Sequence, residues 1–351
     1  MARVTLGGRA LEDGGRPYVI AEIGVNHEGS MDTARRLIDL AREGGADAAK
    51  FQSYKAGRIA SKDSPAYWDM AKEPTPSQFA LFSKYDTFEA EDYSRLAEHC
   101  RRADIEFIST PFDAGAVDFL DPLVRFFKVA SADITNVPLL RQVAAKGKPV
   151  VLSTGASALD EIKAAVSTLR AAGCGELVLL HCVLNYPCPN ANANLNMIAG
   201  LEQAFPDIVI GYSDHTQPDA GMQVMTAAWL KGATVLEKHF THDKSLPGND
   251  HYHAMDVDDL KRLTANLTFL EETLGSMDKQ PLPEEASARE HARRSIVTER
   301  ALAAGTVIGE ADITCKRPGH GISPAQWDEV VGRGVKRDLG ADHVMQWEDL
   351  A

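Results

Sequence analysis

Short apolar runs recur along the chain between Pro17 and about Leu274. They read "YVIAEIG", "DAAKFQ", "EFIST", "FFKVA", "VVLST", "LVLLHC", "IVIGYS" and "TVLEKHF". Each has the length of a strand, and most are separated by stretches with helical periodicity. In "SMDTARRLIDLAREGG" the N-cap candidate is Ser30; Ala34, Leu37, Ile38 and Ala41 recur at helical spacing, and Gly44-Gly45 stops the element. "NVPLLRQVAAKGK" and "SALDEIKAAVSTLRAAG" repeat the scheme. Eight such βα units over roughly 250 residues predict an α/β fold, a (β/α)8 TIM barrel. A doubly wound open sheet is the competing topology, but no GxGxxG follows the first run to support it.

Two stretches break the rhythm. The connection spanning 56–88 holds several prolines and the aromatic residues Tyr67, Trp68, Phe79 and Phe82. A long connection inside a compact domain with such apolar anchors reads as a functional lid. From 276 to 292 the chain turns polar and proline-bearing, the composition of a linker. The expected organisation is therefore a barrel over 1–275, a linker over 276–292 and a small, glycine-rich domain over 293–351. A unit of roughly 60 residues is only marginally stable alone.

Composition narrows the partners. The net charge of −13 over 351 residues argues against nucleic acid, which requires a clustered basic surface. It leaves room for a small anionic ligand where cations are gathered locally. The start of the chain lacks the apolar core of a signal peptide, and no run approaches the roughly 18 apolar residues of a membrane span. The five cysteines are odd in number and show no CxxC spacing, so they read as reduced thiols of a cytoplasmic protein.

In a barrel of this kind, chemistry gathers at the carboxyl ends of the strands. There the runs carry Glu22, Lys50 and Gln52, Ser109 and Thr110, Lys128 and Ser131, Ser153, His181 to Tyr186, Ser213 to His215, and Glu237 to His239. Lysine is rarely buried without a partner, yet Lys50, Lys128 and Lys238 each sit inside an apolar run. Three at equivalent positions imply convergence on the barrel mouth, a positive pocket suited to phosphate or carboxylate. Thr110, Ser131, Ser153 and Ser213 add hydroxyl donors. His215 and His239 end successive runs, so paired imidazoles there could hold a divalent ion. His242, His251 and His253 read as loop residues outside that pair.

At these residues the sequence resembles the sialic acid (N-acetylneuraminate / nonulosonic acid) synthase family. The matching stretches include "AEIGVNHEGS", "DAAKFQSYKA", "KVASADI", "HCVLNYP", "IGYSDHT", "EKHFT", "LPGND" and "KRPGHGI", in family order over about 15–350. The resemblance implies the barrel followed by a C-terminal antifreeze-like (SAF) domain. It also implies condensation of phosphoenolpyruvate with an N-acylated aldose similar to N-acetylmannosamine, with C–O cleavage and phosphate release. Lys50, Thr110, Lys128, Ser131, Ser153 and Ser213 look like phosphoenolpyruvate contacts, with Asn185 beside them; Leu184 stands where the family commonly has a polar residue. Glu22, Gln52, Tyr186 and Asp250 look like sugar contacts, and Glu22, Lys50 and Lys128 would carry catalysis. His215 and His239 look like the ligands of a divalent metal, Mn2+ foremost, with Mg2+ or Co2+ as alternatives. Arg317, in "KRPG", is similar to the arginine that reaches the sugar site of the other subunit in a domain-swapped homodimer.

Three other readings compete. A phosphorylated sugar could be the acceptor, as in a 9-phosphate or 3-deoxy-sugar synthase. The small domain could be a binding or ice-contacting module on an inert barrel. The chain could also be a non-catalytic carbohydrate-binding paralogue, although it keeps His215, His239 and the lysines.

Overall fold

The computed structural model describes residues 2–12, 14–68, 70–71, 73–248 and 250–351. The chain divides into two compact units, Met1–Leu274 and Gly275–Ala351. The first begins with a hairpin of β1 (Arg3–Leu6) and β2 (Arg9–Glu12), turned through Gly7 and Gly8 at φ 57 and 89. Two successive positive φ values suit the tight turn that matches strand twist, which glycine adopts without steric cost. Eight strands follow: β3 (Tyr18–Gly24), β4 (Ala48–Ser53), β5 (Glu106–Pro111), β6 (Phe127–Val129), β7 (Val150–Ser153), β8 (Leu177–Cys182), β9 (Val209–Asp214) and β10 (Val235–His239). They form one sheet in the order β5-β4-β3-β10-β9-β8-β7-β6. Every recorded pairing is parallel, and β5 and β6, the two ends of that order, lie side by side, which closes the barrel. The eight apolar runs are these eight strands.

Strand parity sorts the side chains into two cores, because successive residues point to opposite faces. Ile20, Ala48, Ile108, Val151, Val178, Leu180, Val209 and Val235 share one cluster with Val4, Leu6 and Leu11 of the hairpin. These are the inward positions, and the hairpin packs against their lower layer. The intervening residues, among them Ala49, Phe51, Phe127, Leu152, Leu179 and Leu236, join the larger cluster beneath the helices. The hairpin lies outside the sequence expectation. Its strands are four residues long with Arg3 and Thr5 on the outer face, too short and too polar to form a run.

The helix over Met31–Gly44 forms as its pattern predicts. Ser30 accepts from the Thr33 amide at 3.2 Å, Ala34, Leu37, Ile38 and Ala41 are buried, and Gly45 closes the end at φ 89. The stretch 56–88 is partly helical, with Ala56–Ile59 and Gln78–Tyr85, and Pro65 bridges to Ser77. Asp69 and Lys72, within the expected lid, lie outside the described residues.

In the second unit β11 (Ser295–Thr298) pairs antiparallel with β12 (Ile313–Lys316). Its core is Ile296, Leu302, Ile308, Ile313, Ile322, Val330, Val335, Leu339, Met345 and Leu350. The stretch expected to be a linker belongs to this unit and carries a helix over Ala286–His291. Among the described residues no helix is long and apolar enough to cross a membrane.

Candidate active site

The inward parity that buries valines at the bottom of the barrel ends in ionisable residues at the top. After Ile20 comes Glu22; after Ala48 come Lys50 and Gln52; after Ile108 comes Thr110; after Val235 come Glu237 and His239. β6 contributes Lys128, β7 Ser153 and β9 Ser213 by the same alternation. Together they line a cavity of about 470 Å³ with Ser131, Tyr186, His215 and Asp250.

Two lysines and two glutamates form its base. Lys50 Nζ lies 2.7 Å from Glu22 Oε2 and 3.4 Å from Glu237 Oε2, and it donates to Thr110 Oγ1 at 3.3 Å. Lys128 Nζ lies 3.4 Å from Glu237 Oε1 and donates to Ser153 Oγ at 2.8 Å. Ser213 donates to Glu237 Oε1 at 3.0 Å, and Gln52 donates to Glu22 Oε1 at 3.1 Å. Burying these charges is costly, and only their mutual pairing allows it. Burial pulls the Lys50 ammonium down, but Glu22 and Glu237 outweigh it and hold Lys50 above its ordinary value. Burial wins at Lys128, which falls below its ordinary value despite Glu237. Burial also pushes the Glu22 carboxyl up, helped by Glu237 and opposed by Lys50. Glu237 goes down to about 2, because the attraction of Lys128 and Lys50 overcomes the penalty of burial.

Three hydroxyls of the wall act as acceptors toward the protein. Ser153 and Thr110 each accept from a lysine, and Ser131 accepts from the Gly155 amide at 2.9 Å. Each then has its own O–H to donate. Ser213 instead spends its proton on Glu237.

Not every sequence expectation lands here. Lys238 does not converge with Lys50 and Lys128. Glu237 and His239 face the cavity, so Lys238 between them faces outward, where it lies 2.7 Å from Asp214 and also donates to the Thr216 carbonyl. Asn185 is exposed and absent from the cavity wall, which Leu184 and Tyr186 on either side of it line. Arg317 is an exposed residue of the second unit. In the other direction, the sequence places Glu237 and Cys182 at strand ends without a role and Tyr67, Trp68 and Phe82 in a lid, and all five line the cavity. Glu237 carried a readable signal, a carboxylate inside an apolar run at the parity of Val235.

The imidazoles sit on one side. His215 and His239 have ring centroids 5.5 Å apart, a gap that metal–imidazole bonds of about 2 Å can span. His215 lines the cavity, and its Nδ1 is engaged by the Val183 carbonyl at 2.8 Å, which leaves Nε2 as the ring nitrogen available to a ligand. His239 Nδ1 is buried without a hydrogen-bond partner, and burial drives this imidazole well below its ordinary value, into the neutral form that binds metals. Asp250 is pushed up to about 7, by burial first and then by Glu22. His253 lies in the loop after β10, as its place in the sequence implies, but inside the molecule. It is fully buried, and a ring nitrogen of His239, a carboxylate oxygen of Asp250 and a ring nitrogen of His253 all lie within 4.8 Å of one another. The donor set of two imidazoles and a carboxylate fits a divalent transition metal.

The structure is a closed (β/α)8 barrel whose rim gathers a lysine pair, a set of hydroxyls and several imidazoles, the arrangement of a barrel enzyme. The chain belongs to the NeuB family, whose model matches residues 37–279, and residues 293–351 match the SAF domain. It is 38% identical over 340 residues to the N,N'-diacetyllegionaminic acid synthase of Legionella pneumophila, covering 95% of this chain and 94% of that one. It is 34% identical over 336 residues to the N-acetylneuraminate-9-phosphate synthase of Mus musculus, covering 95% and 92%. The crystal structure of the N-acetylneuraminic acid synthetase of Leptospira borgpetersenii, in complex with citrate, matches with a TM-score of 0.72 at 31% identity, covering 81% of this chain and 94% of that one.

Proposed function

We propose that this chain is a nonulosonic acid synthase, which condenses phosphoenolpyruvate with an open-chain N-acylated aldose and releases phosphate. The observation that carries the reading is the convergence of Lys50 and Lys128 on one buried floor, bridged by Glu237. Phosphoenolpyruvate brings a phosphate and a carboxylate on adjacent groups, and two ammonium groups on neighbouring sides of one carboxylate match that spacing of charge. Thr110, Ser131 and Ser153 donate their hydroxyls to the same anion. Asn185 has no such role, because its side chain lies off the wall.

The reaction forms one C–C bond and breaks one C–O bond. The methylene carbon of phosphoenolpyruvate attacks the aldehyde carbon, and positive charge develops at C2. Water adds at C2, and the phosphate leaves with the bridging oxygen. Lys50 and Lys128 hold the phosphate and carboxylate where charge changes during these steps. Glu22, fixed by Lys50 and Gln52, faces the acceptor and takes or returns its protons. Tyr186 and Gln52 position the sugar. His215 and His239 would hold a divalent ion, Mn2+ in this proposal, which when bound would supply Lewis-acid polarisation of the aldehyde.

The acceptor is proposed to be an unphosphorylated sugar with two N-acyl groups. Ile59, Tyr67, Trp68, Phe82 and Phe112 make the outer wall apolar, and among the described lining residues only Lys50 and Lys128 are cationic. Beyond the lysines that hold phosphoenolpyruvate, this subunit's described wall offers a second phosphate no cation, whereas acyl methyls would meet aromatic rings. This favours the free sugar over a 9-phosphate acceptor. By resemblance we further propose a domain-swapped homodimer in which Arg317 of one subunit serves the partner's sugar site, with the barrel, linker and small domain divided at 275 and 293. The five free thiols support a cytoplasmic location. The test is phosphate release from phosphoenolpyruvate with Mn2+ and a panel of mono-N-acyl, di-N-acyl and phosphorylated aldoses. Release is expected to be fastest with the free di-N-acyl sugar. Fastest release with a phosphorylated acceptor would replace it by the 9-phosphate reading.

A further inference from the structure

The loop after β10 returns to the strand it leaves. Met255 N donates to the His239 carbonyl at 2.8 Å, Thr241 N donates to the Met255 carbonyl at 2.9 Å, and Phe240 bridges to Met255 in parallel. The excursion between them therefore closes on itself beside His239. Asp250 and His253 stand three residues apart on the returning turn, with His253 Nε2 3.9 Å from Asp250 Oδ1. His239 Nδ1 lies 3.7 Å from Asp250 Oδ2, and the His239 and His253 rings are 4.9 Å apart between centroids at 64°. Adjacent donors around an ion at 2.0–2.2 Å are held roughly 3.0–3.6 Å apart. The separations about Asp250 exceed that span by only a few tenths of an ångström.

We propose that His253 and Asp250 are protein ligands of the divalent cation, so that this chain seats the ion with a third imidazole and a carboxylate beside His239. His253 is buried completely, so its ring has no solvent role, and its place is set by a loop whose backbone is tied to the carbonyl of His239 itself. Asp250 then acts first on the cation and only through it on the acceptor. A seat of three imidazoles and a carboxylate also selects manganese, cobalt or zinc over magnesium, which favours oxygen donors and keeps its waters. The inference deepens the synthase reading by naming further ligands at the same site, but its test does not depend on turnover.

The experiment titrates chelator-stripped protein with Mn2+ and counts the free ion by electron paramagnetic resonance. The His253→Asn variant is expected to bind about 10–100-fold more weakly than wild type, the scale of losing a group that holds or orients a metal. His242→Asn, on the same loop, is expected to bind as wild type does. Equal affinity of His253→Asn and wild type overturns the inference. Should His253→Asn fail to fold, anomalous diffraction from wild-type crystals grown with Mn2+ decides. A peak bonded to His253 and Asp250 supports the seat, and a peak bonded only to His215 and His239 overturns it. Phosphate release with unchanged metal affinity in His253→Asn would remove this inference while leaving the synthase reading intact. Tight three-imidazole binding without phosphate release would do the reverse.

Discussion

Lys128 is buried beside Glu237 and Ser153, and burial alone draws its ammonium toward the neutral form. An anion in the cavity would offset that pull, which places the cost of burying the lysine at the service of binding. Lys128→Gln is expected to lower kcat/KM for phosphoenolpyruvate by about 10²–10³-fold, the scale of losing one charge-stabilising donor. Steady-state phosphate release checks it, and an unchanged kcat/KM would take Lys128 out of the site. His27 gives a second test at this scale. Its ring stacks on Phe88 at 4.3 Å, and Nδ1 accepts from the Gly29 amide at 3.1 Å, so protonating Nδ1 would end that bond. Burial lowers this imidazole from 6.5 to about 4. The folded state therefore prefers neutral His27, and that preference is fully present above pH 6.5 and is lost as pH falls toward 4. At most about 3 kcal/mol of stability follows from a shift of that size. Thermal melts from pH 7 to pH 4 should fall less steeply for His27→Gln than for wild type, and parallel slopes would contradict the assignment.

The strands show how parity converts a uniform apolar run into a layered interior. In β9, Val209, Gly211 and Ser213 face inward, and Gly211 is the narrow point. A Cβ there would meet Leu180 Cδ2 and the Val235 carbonyl, each at 2.5 Å. Gly211→Ala should therefore lower stability by about 1–3 kcal/mol through overpacking, read as a lower urea midpoint. A neutral substitution would mean the interior yields more than these contacts imply. Much of this was legible in the letters. The eight runs, the Ser30 cap and the Gly45 stop carry local signals that packing then reinforces. What escaped had non-local causes. Lys238 fails to join the other lysines because one-residue parity turns it outward, a rule available in "EKH" but hidden when the run is read as a block. His253 lies far along the chain from His239, and only the Met255 pairing returns it to the strand end. Leu184 and Asn185 exchange places on the wall because the loop after β8, not the strand, decides which of them faces in. The β1–β2 hairpin is missed because four-residue strands with polar outer faces never make an apolar run.

For the whole molecule, the proposed exchange of Arg317 between subunits has a direct consequence. Lys128→Gln and Arg317→Ala should each leave only a small fraction of wild-type turnover alone. Co-expressed in one cell, they should recover roughly a quarter of wild-type turnover, the share of intact sites in randomly mixed dimers. No recovery, in the presence of mixed dimers shown by mass spectrometry, would mean each subunit completes its own site. The small unit would then have to be explained by its own core of Ile296, Ile313, Val335 and Leu350 and not by a shared site.

All of these scales rest on one chemical event at the barrel mouth, the departure of phosphate together with the bridging oxygen of phosphoenolpyruvate. The measurement is turnover of phosphoenolpyruvate carrying oxygen-18 at that bridging position, with the free di-N-acyl aldose and Mn2+, followed by mass analysis of the released phosphate. The label is expected in the phosphate, one atom for each product molecule formed. Phosphate released without the label, or no release with any aldose, would contradict the account.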